Sequence, residues 1–81
     1  LGQAVKPATL PYRQNMTLLD VMISVGGLTD FAAGNRAVLI RAAENNKAYN
    51  VRLADLIKRG DVGANVQVLP GDVIIIPESW F

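Results

Sequence analysis

One helix with clear signals at both ends is the feature that most constrains this fold. Its apolar residues recur at helical spacing, which predicts one face packed on a sheet: Leu18, Val21, Met22 and Val25. Thr17 and Asp20 match the acidic version of a capping box, in which each side chain binds the other residue's backbone N–H. Gly26 and Gly27 end the helix, because glycine adopts the left-handed conformation of a C-terminal cap without steric cost.

Most of the remaining chain has the composition of strands. Strands are predicted over residues 1–6, 37–41 and 48–52, and an irregular one over residues 9–13, which Pro11 confines to an edge or a bulge. The asparagines of the segment 44–47 tolerate positive φ, so they suit the tip of a hairpin. A second, short helix is predicted over residues 53–59, with Gly60 as its stop.

The last predicted strand follows a sharp turn. Pro70 and Gly71 suit a type II turn, and Asp72 is expected to close it by hydrogen bonding to backbone. Residues 73–76 are four consecutive β-branched residues, which predicts a central strand covered on both faces and closed by Pro77. The pattern indicates an α+β fold, with a mixed sheet packed on one main helix.

Length and charge narrow the class of protein. We expect a single domain over residues 1–81, since 81 residues are too few for two cores. The net charge is +1 and the basic residues are scattered, which argues against nucleic acid as a partner. No apolar run reaches the length of a membrane helix. Because the chain begins at Leu1 without Met, we interpret it as a fragment of a longer protein, so that a signal peptide or lipid anchor would lie outside it.

The sequence offers few groups for catalysis. It contains no histidine and no cysteine, so Ser24 and Ser79 lack the usual activating base and are interpreted as ordinary polar residues. The glycine doublet follows its helix, whereas a phosphate-binding loop precedes one. We therefore expect no catalytic residue, no metal and no cofactor, and a protein that is not an enzyme. A hydrolase is the third hypothesis, and it would need a carboxylate pair that includes Asp72.

Six residues are candidates for contact with a ligand or a partner. Arginine and aromatic side chains are the usual anchors of interfaces. The candidates stand on the predicted edge strand, in the loop before residue 37 and at the end of the sequence: Tyr12, Arg13, Asn35, Arg36, Trp80 and Phe81. Phe31 and Tyr49 are instead expected to complete the core.

Three stretches in order carry a resemblance to a known family: Gly-Gln-Ala-Val-Lys-Pro at 2–7, the helix with its glycine doublet at 17–29, and the closing turn and strand at 65–79. Together they resemble the soluble-ligand-binding β-grasp (SLBB) domain of outer-membrane polysaccharide export proteins. Pro7–Ala8 stands where the family usually has Pro-Gly. The resemblance implies a β-grasp, or ubiquitin-like, fold.

The resemblance also implies a function. It implies a non-catalytic module of an exopolysaccharide or capsule export protein, periplasmic and attached to the outer membrane through its parent. The implied partners are other subunits of a ring, the polysaccharide and an inner-membrane co-polymerase, with the isolated fragment monomeric. No ligand-contacting residue of the family maps onto a position here. The alternative is a module that binds a small, cofactor-like soluble ligand in an apolar pocket.

Overall fold

A computed structural model gives the structure of the chain and describes residues 9–78. The strand predicted over residues 1–6 and the candidate contacts Trp80 and Phe81 lie outside the described residues.

The main helix, α1, spans Leu18–Val25. The predicted capping box is present: the Thr17 N–H donates to Asp20 Oδ2 at 3.0 Å, and the Asp20 N–H donates to Thr17 Oγ1 at 3.4 Å. Gly26 caps the other end with φ of 85°, and its N–H bonds back into the last turn. Both ends of α1 are thus determined by residues adjacent to them in sequence.

Three strands form an antiparallel sheet: β1 Ala37–Arg41, β2 Lys47–Val51 and β3 Val73–Ile75, in the order β2-β1-β3. A 3₁₀ turn and two left-handed asparagines connect β1 to β2, with φ of 58° at Asn45 and 61° at Asn46. These asparagines lie where the sequence predicts the hairpin tip.

A short helix, α2, spans Leu53–Lys58, one residue shorter than predicted. Both helices pack on the same face of the sheet, and the four largest fully buried side chains come from all of these layers: Leu18, Met22, Leu39 and Leu53. The predicted α+β class, with one main helix and a second short one, is confirmed, and the arrangement is compatible with a β-grasp.

Two predictions about strands are wrong. Residues 9–13 form no strand, and the tight turn that follows them is closed by the Met16 N–H donating to Arg13 O. The β-branched run is not covered on both faces as predicted, since Val73 and Ile75 of β3 are 51% and 49% exposed, and within residues 9–78 the strand between the other two is β1. Four consecutive β-branched residues indicate a preference for extended backbone, and a strand covered on one face satisfies this preference as well as a strand covered on both. The helices cover one face only, so alternate side chains of β3 face outward.

Candidate functional site

The strand register places one row of side chains on the face of the sheet that the helices leave uncovered. Ala37 and Leu39 point into the core, so their neighbours on β1 point the other way. Directly paired residues share a face, and the pairs give the full set. We call the open sheet face the six residues Val38, Ile40, Ala48, Asn50, Val73 and Ile75.

The open sheet face carries no charge. Five of its residues are apolar and the sixth is Asn50, whose side-chain amide donates to the carbonyls of Asn35 and Ala37 at 3.2 Å. An antiparallel sheet with one wet face normally alternates apolar and polar residues. An exposed sheet face without charge is a candidate for contact with a partner.

Arg41 at the end of β1 is tied to the turn that precedes β3. Its guanidinium lies 2.9 Å from Asp72 Oδ2 and also donates to Gln67 O at 2.8 Å, while Asp72 Oδ2 accepts the Leu69 N–H at 2.8 Å. The hydrogen bond with Asp72, opposed by partial burial, raises the pKa of Arg41. Asp72 closes the turn as predicted. Because its carboxylate is engaged by these partners, its role here is structural.

The side chain of Tyr49 lies beside this pair. Its ring packs partly buried against the core and has the Lys47 ammonium 5.0 Å and the Arg41 guanidinium 5.8 Å from its centroid. Its hydroxyl donates to the Glu44 carboxylate. Tyr49 therefore serves the core as predicted, whereas Phe31 does not, since it is 48% exposed.

Asn35 organises the start of α2. Its amide N–H donates to Asp55 Oδ1, and its side-chain oxygen accepts the Asp55 N–H, both at 3.0 Å. Asp55 also pairs with Arg52 at 3.1 Å and with Arg59 at 3.7 Å. The hydrogen bond from Asn35, followed by the one from Arg52, lowers the pKa of Asp55 against the opposing effect of burial. This arrangement gives Asn35 an intramolecular role, although the residue is exposed and remains a predicted contact.

The other predicted contact residues lie at two separate places. Arg36 is exposed at the start of β1, where its guanidinium donates to Glu78 O at 3.2 Å. Tyr12 and Arg13 are exposed before α1. None of the side-chain hydrogen bonds within residues 9–78 joins Tyr12 or Arg13 to Arg36. The four candidates within residues 9–78 are therefore not joined into one hydrogen-bonded cluster.

A cleft of about 530 Å³ lies between Tyr12, α1 and β3. Its walls are mainly apolar: Leu10, Met16, Val21, Val25, Ile74 and Ile76. Its size falls within the range of small-ligand sites. It is the feature that the alternative hypothesis of a small-ligand module predicts.

Groups for metal binding do not converge in residues 9–78. No three carboxylate side chains in this range come together to hold a metal ion. The Ser24 hydroxyl donates to the Asp20 carbonyl at 3.0 Å, which is an ordinary contact within a helix. Neither helix of the described range has the length and apolarity needed to cross a membrane.

The sequence reasoning missed the open sheet face and the Arg41 pair. A signal for the face was available, because the run from Ala37 to Ile40 is apolar at both alternating positions. For Arg41 there was no local signal, since its partner lies 31 residues away in sequence.

Comparison with protein families gives one finding. A family model described as the SLBB domain matches residues 1–76, which is most of the chain and includes α1, the three strands and the Arg41–Asp72 pair.

Proposed function

The chain belongs to the SLBB domain family, a family of binding modules, and from this premise we propose that it is a non-catalytic part of a bacterial polysaccharide export protein. In this proposal the domain lies in the periplasm and is attached to the outer membrane through its parent protein. It makes contacts with other subunits, while exposed Tyr12 and Arg13 make transient contact with the polymer. An inner-membrane co-polymerase is a further proposed partner.

The observation that carries the proposal is the open sheet face. It presents Val73 and Ile75, each about half exposed, beside Val38 and Ile40 on the central strand. Leaving these side chains in water forgoes roughly 25 cal/mol for each Å² of apolar surface. The absence of charge favours an apolar protein surface as the occupant, because a polysaccharide needs hydrogen-bonding groups that this face largely lacks.

The experiment removes this domain from the full-length export protein in the bacterium that produces it. We expect loss of surface polysaccharide, and a smaller oligomer of the purified protein in detergent by light scattering. The control is Lys58→Ala, an exposed substitution on α2. Normal polymer on the surface and an unchanged oligomer mass after the deletion would overturn the proposal.

A second function is favoured by a specific observation, the apolar cleft of about 530 Å³ beside Tyr12. In this alternative the domain binds a small soluble ligand whose apolar part packs on Val21 and Ile74. Screening by thermal denaturation would then find a compound that raises the melting temperature. Tyr12→Ala would weaken that effect, and Ile75→Lys on the open sheet face would leave it unchanged. Stabilisation that is equally large in Tyr12→Ala would place the ligand elsewhere.

A further inference from the structure

The domain has apolar surface exposed on two opposite sides. One is the open sheet face. The other is the outward side of α1, where Leu19 and Ile23 stand one turn apart and Ile23 is 70% exposed. Because Leu18 and Met22 of α1 are buried toward the sheet, Leu19 and Ile23 point away from it. We call Leu19 and Ile23 the helix stripe.

Both surfaces are apolar, and each has one charged residue near its edge, with opposite signs. The open sheet face has no charged residue, and the helix stripe has only Asp20 beside it as a charge on α1. At the edge of the open sheet face stands exposed Arg36, one residue before β1. When apolar surfaces meet, an acid at the rim of one and a base at the rim of the other favour that orientation.

We propose that the helix stripe of one copy packs on the open sheet face of the next copy. This inference rests on the proposed function, because it identifies the surfaces through which the subunits meet. The same kind of packing exists within one domain, where Leu18 and Met22 of α1 are buried against Leu39 on the inner face of the sheet. A helix layer on a sheet layer is a standard way to bury both.

The geometry determines the type of assembly. Two different surfaces on opposite sides give a head-to-tail interface, which continues from copy to copy and closes into a ring when the rotation permits. Contact between two open sheet faces would instead give a closed pair with two-fold symmetry. The inference therefore predicts which residues meet, and not only that copies associate.

The area of the contact predicts a weak association for the isolated chain. Strands β1 and β2 have five residues each and β3 has three, so at about 3.3 Å per residue and 4.8 Å per strand they cover roughly 200 Å². Each partner contributes roughly 800 Å² to a stable interface. We therefore expect a monomer at low concentration and association only in concentrated solution. In a larger assembly, further contacts of the parent protein add to this one.

Cysteine cross-linking tests the pairing, because the chain contains no cysteine of its own. Ile23→Cys and Ile75→Cys variants are prepared separately, one with a mass tag, and are oxidised in a concentrated equimolar mixture. We expect the mixed species to exceed the sum of the tagged and untagged homodimers, because random pairing would make these two amounts equal. A matched control mixes Lys58→Cys with Ile75→Cys, which should give only the background yield.

Three other outcomes would overturn the inference. Dominant Ile75→Cys homodimers would indicate face-to-face packing, dominant Ile23→Cys homodimers would indicate helix-to-helix packing, and a mixed yield equal to the Lys58→Cys background would indicate no specific contact. As a second measurement, adding Ile75→Lys to the Ile23→Cys variant should leave cross-linking to Ile75→Cys unchanged, because that copy supplies its helix. Adding Val73→Lys to the Ile75→Cys variant should reduce cross-linking to background, because that copy supplies its sheet. Circular dichroism shows whether each variant is folded.

The cross-linking experiment tests the contact surfaces and the export experiment tests the proposed function, so either claim can be rejected without the other. A specific mixed cross-link with normal export after deletion of the domain would retain the interface and reject the proposed function. Loss of export after deletion, with only background cross-linking, would retain the proposed function and reject these surfaces.

Discussion

Arg41 and Asp72 form an ion pair between residues 31 positions apart in sequence, with Arg41 Nη2 lying 2.9 Å from Asp72 Oδ2. The Asp72 side chain is only 4% exposed and that of Arg41 16%. The pair joins the end of β1 to the turn that precedes β3, so it stabilises the position of β3 beside β1 in the sheet.

Arg41→Ala should therefore destabilise the domain by about 2–3 kcal/mol, because it leaves a nearly buried carboxylate with the Leu69 N–H as its remaining partner. Urea denaturation at neutral pH measures the free energy of unfolding. The control is Arg52→Ala, whose half-exposed side chain pairs with Asp55 and Asp61 and should contribute less than about 1 kcal/mol. Equal losses in the two variants would contradict a special role for the Arg41 pair.

Thr17→Ala should lower the free energy of unfolding by about 1 kcal/mol, since it removes the hydroxyl that accepts the Asp20 N–H at the start of α1. The measurement is the melting temperature by circular dichroism. Thr29→Ala, an exposed loop substitution, is the matched control and should have little effect. An unchanged melting temperature for Thr17→Ala would show that the capping box does not contribute to stability.

Gly34→Ala should cost about 1–3 kcal/mol through overpacking. A Cβ atom at Gly34 would lie 2.6 Å from Leu28 Cδ1 and 2.8 Å from the Ala54 backbone nitrogen, so the loop would have to move away from α2. Gly63→Ala is the control, because its Cβ would contact only the Asp61 Oδ1 atom, at 3.2 Å, and that exposed side chain can shift. Denaturant titration of both variants tests the prediction, and a Gly34→Ala protein as stable as the control would show that the loop moves freely.

Asn35→Ala should destabilise the domain more at neutral pH than in acid. The pKa of Asp55 lies below its ordinary value of 3.8, with the hydrogen bond from Asn35 as the largest cause. The unfolded chain therefore takes up this proton at a higher pH than the folded chain does. The stabilisation is present above about pH 4 and is lost as the pH falls through the lowered pKa of the folded state.

Urea denaturation of the wild type and Asn35→Ala at neutral and acidic pH tests this sign. The difference in the free energy of unfolding should shrink in acid, leaving the part due to the Asp55 N–H bond. Gln14→Ala, an exposed amide substitution, should show a small difference that is independent of pH. A difference for Asn35→Ala that grows in acid would show that the sign is wrong.

The contribution of the sequence is clearest where a signal and its effect lie within a few residues. Thr17 and Asp20 begin α1, Gly26 ends it, and Asn45 with Asn46 reverse the chain between β1 and β2. Each of these was predicted, because capping and positive φ depend on the local backbone and on the side chain at that position. The family resemblance likewise depends on the order of such local motifs.

Within residues 9–78, only the tertiary structure decided the order of the strands and which residues remain exposed. The run from Val73 to Ile76 has the same composition whether one face or two are covered, and its pairing with β1 leaves Val73 and Ile75 facing outward. The partner of Arg41 was likewise invisible in the sequence. Strand order, coverage and long-range ion pairs depend on free-energy differences between whole arrangements of the chain, and no short window of sequence contains both members of such a contact.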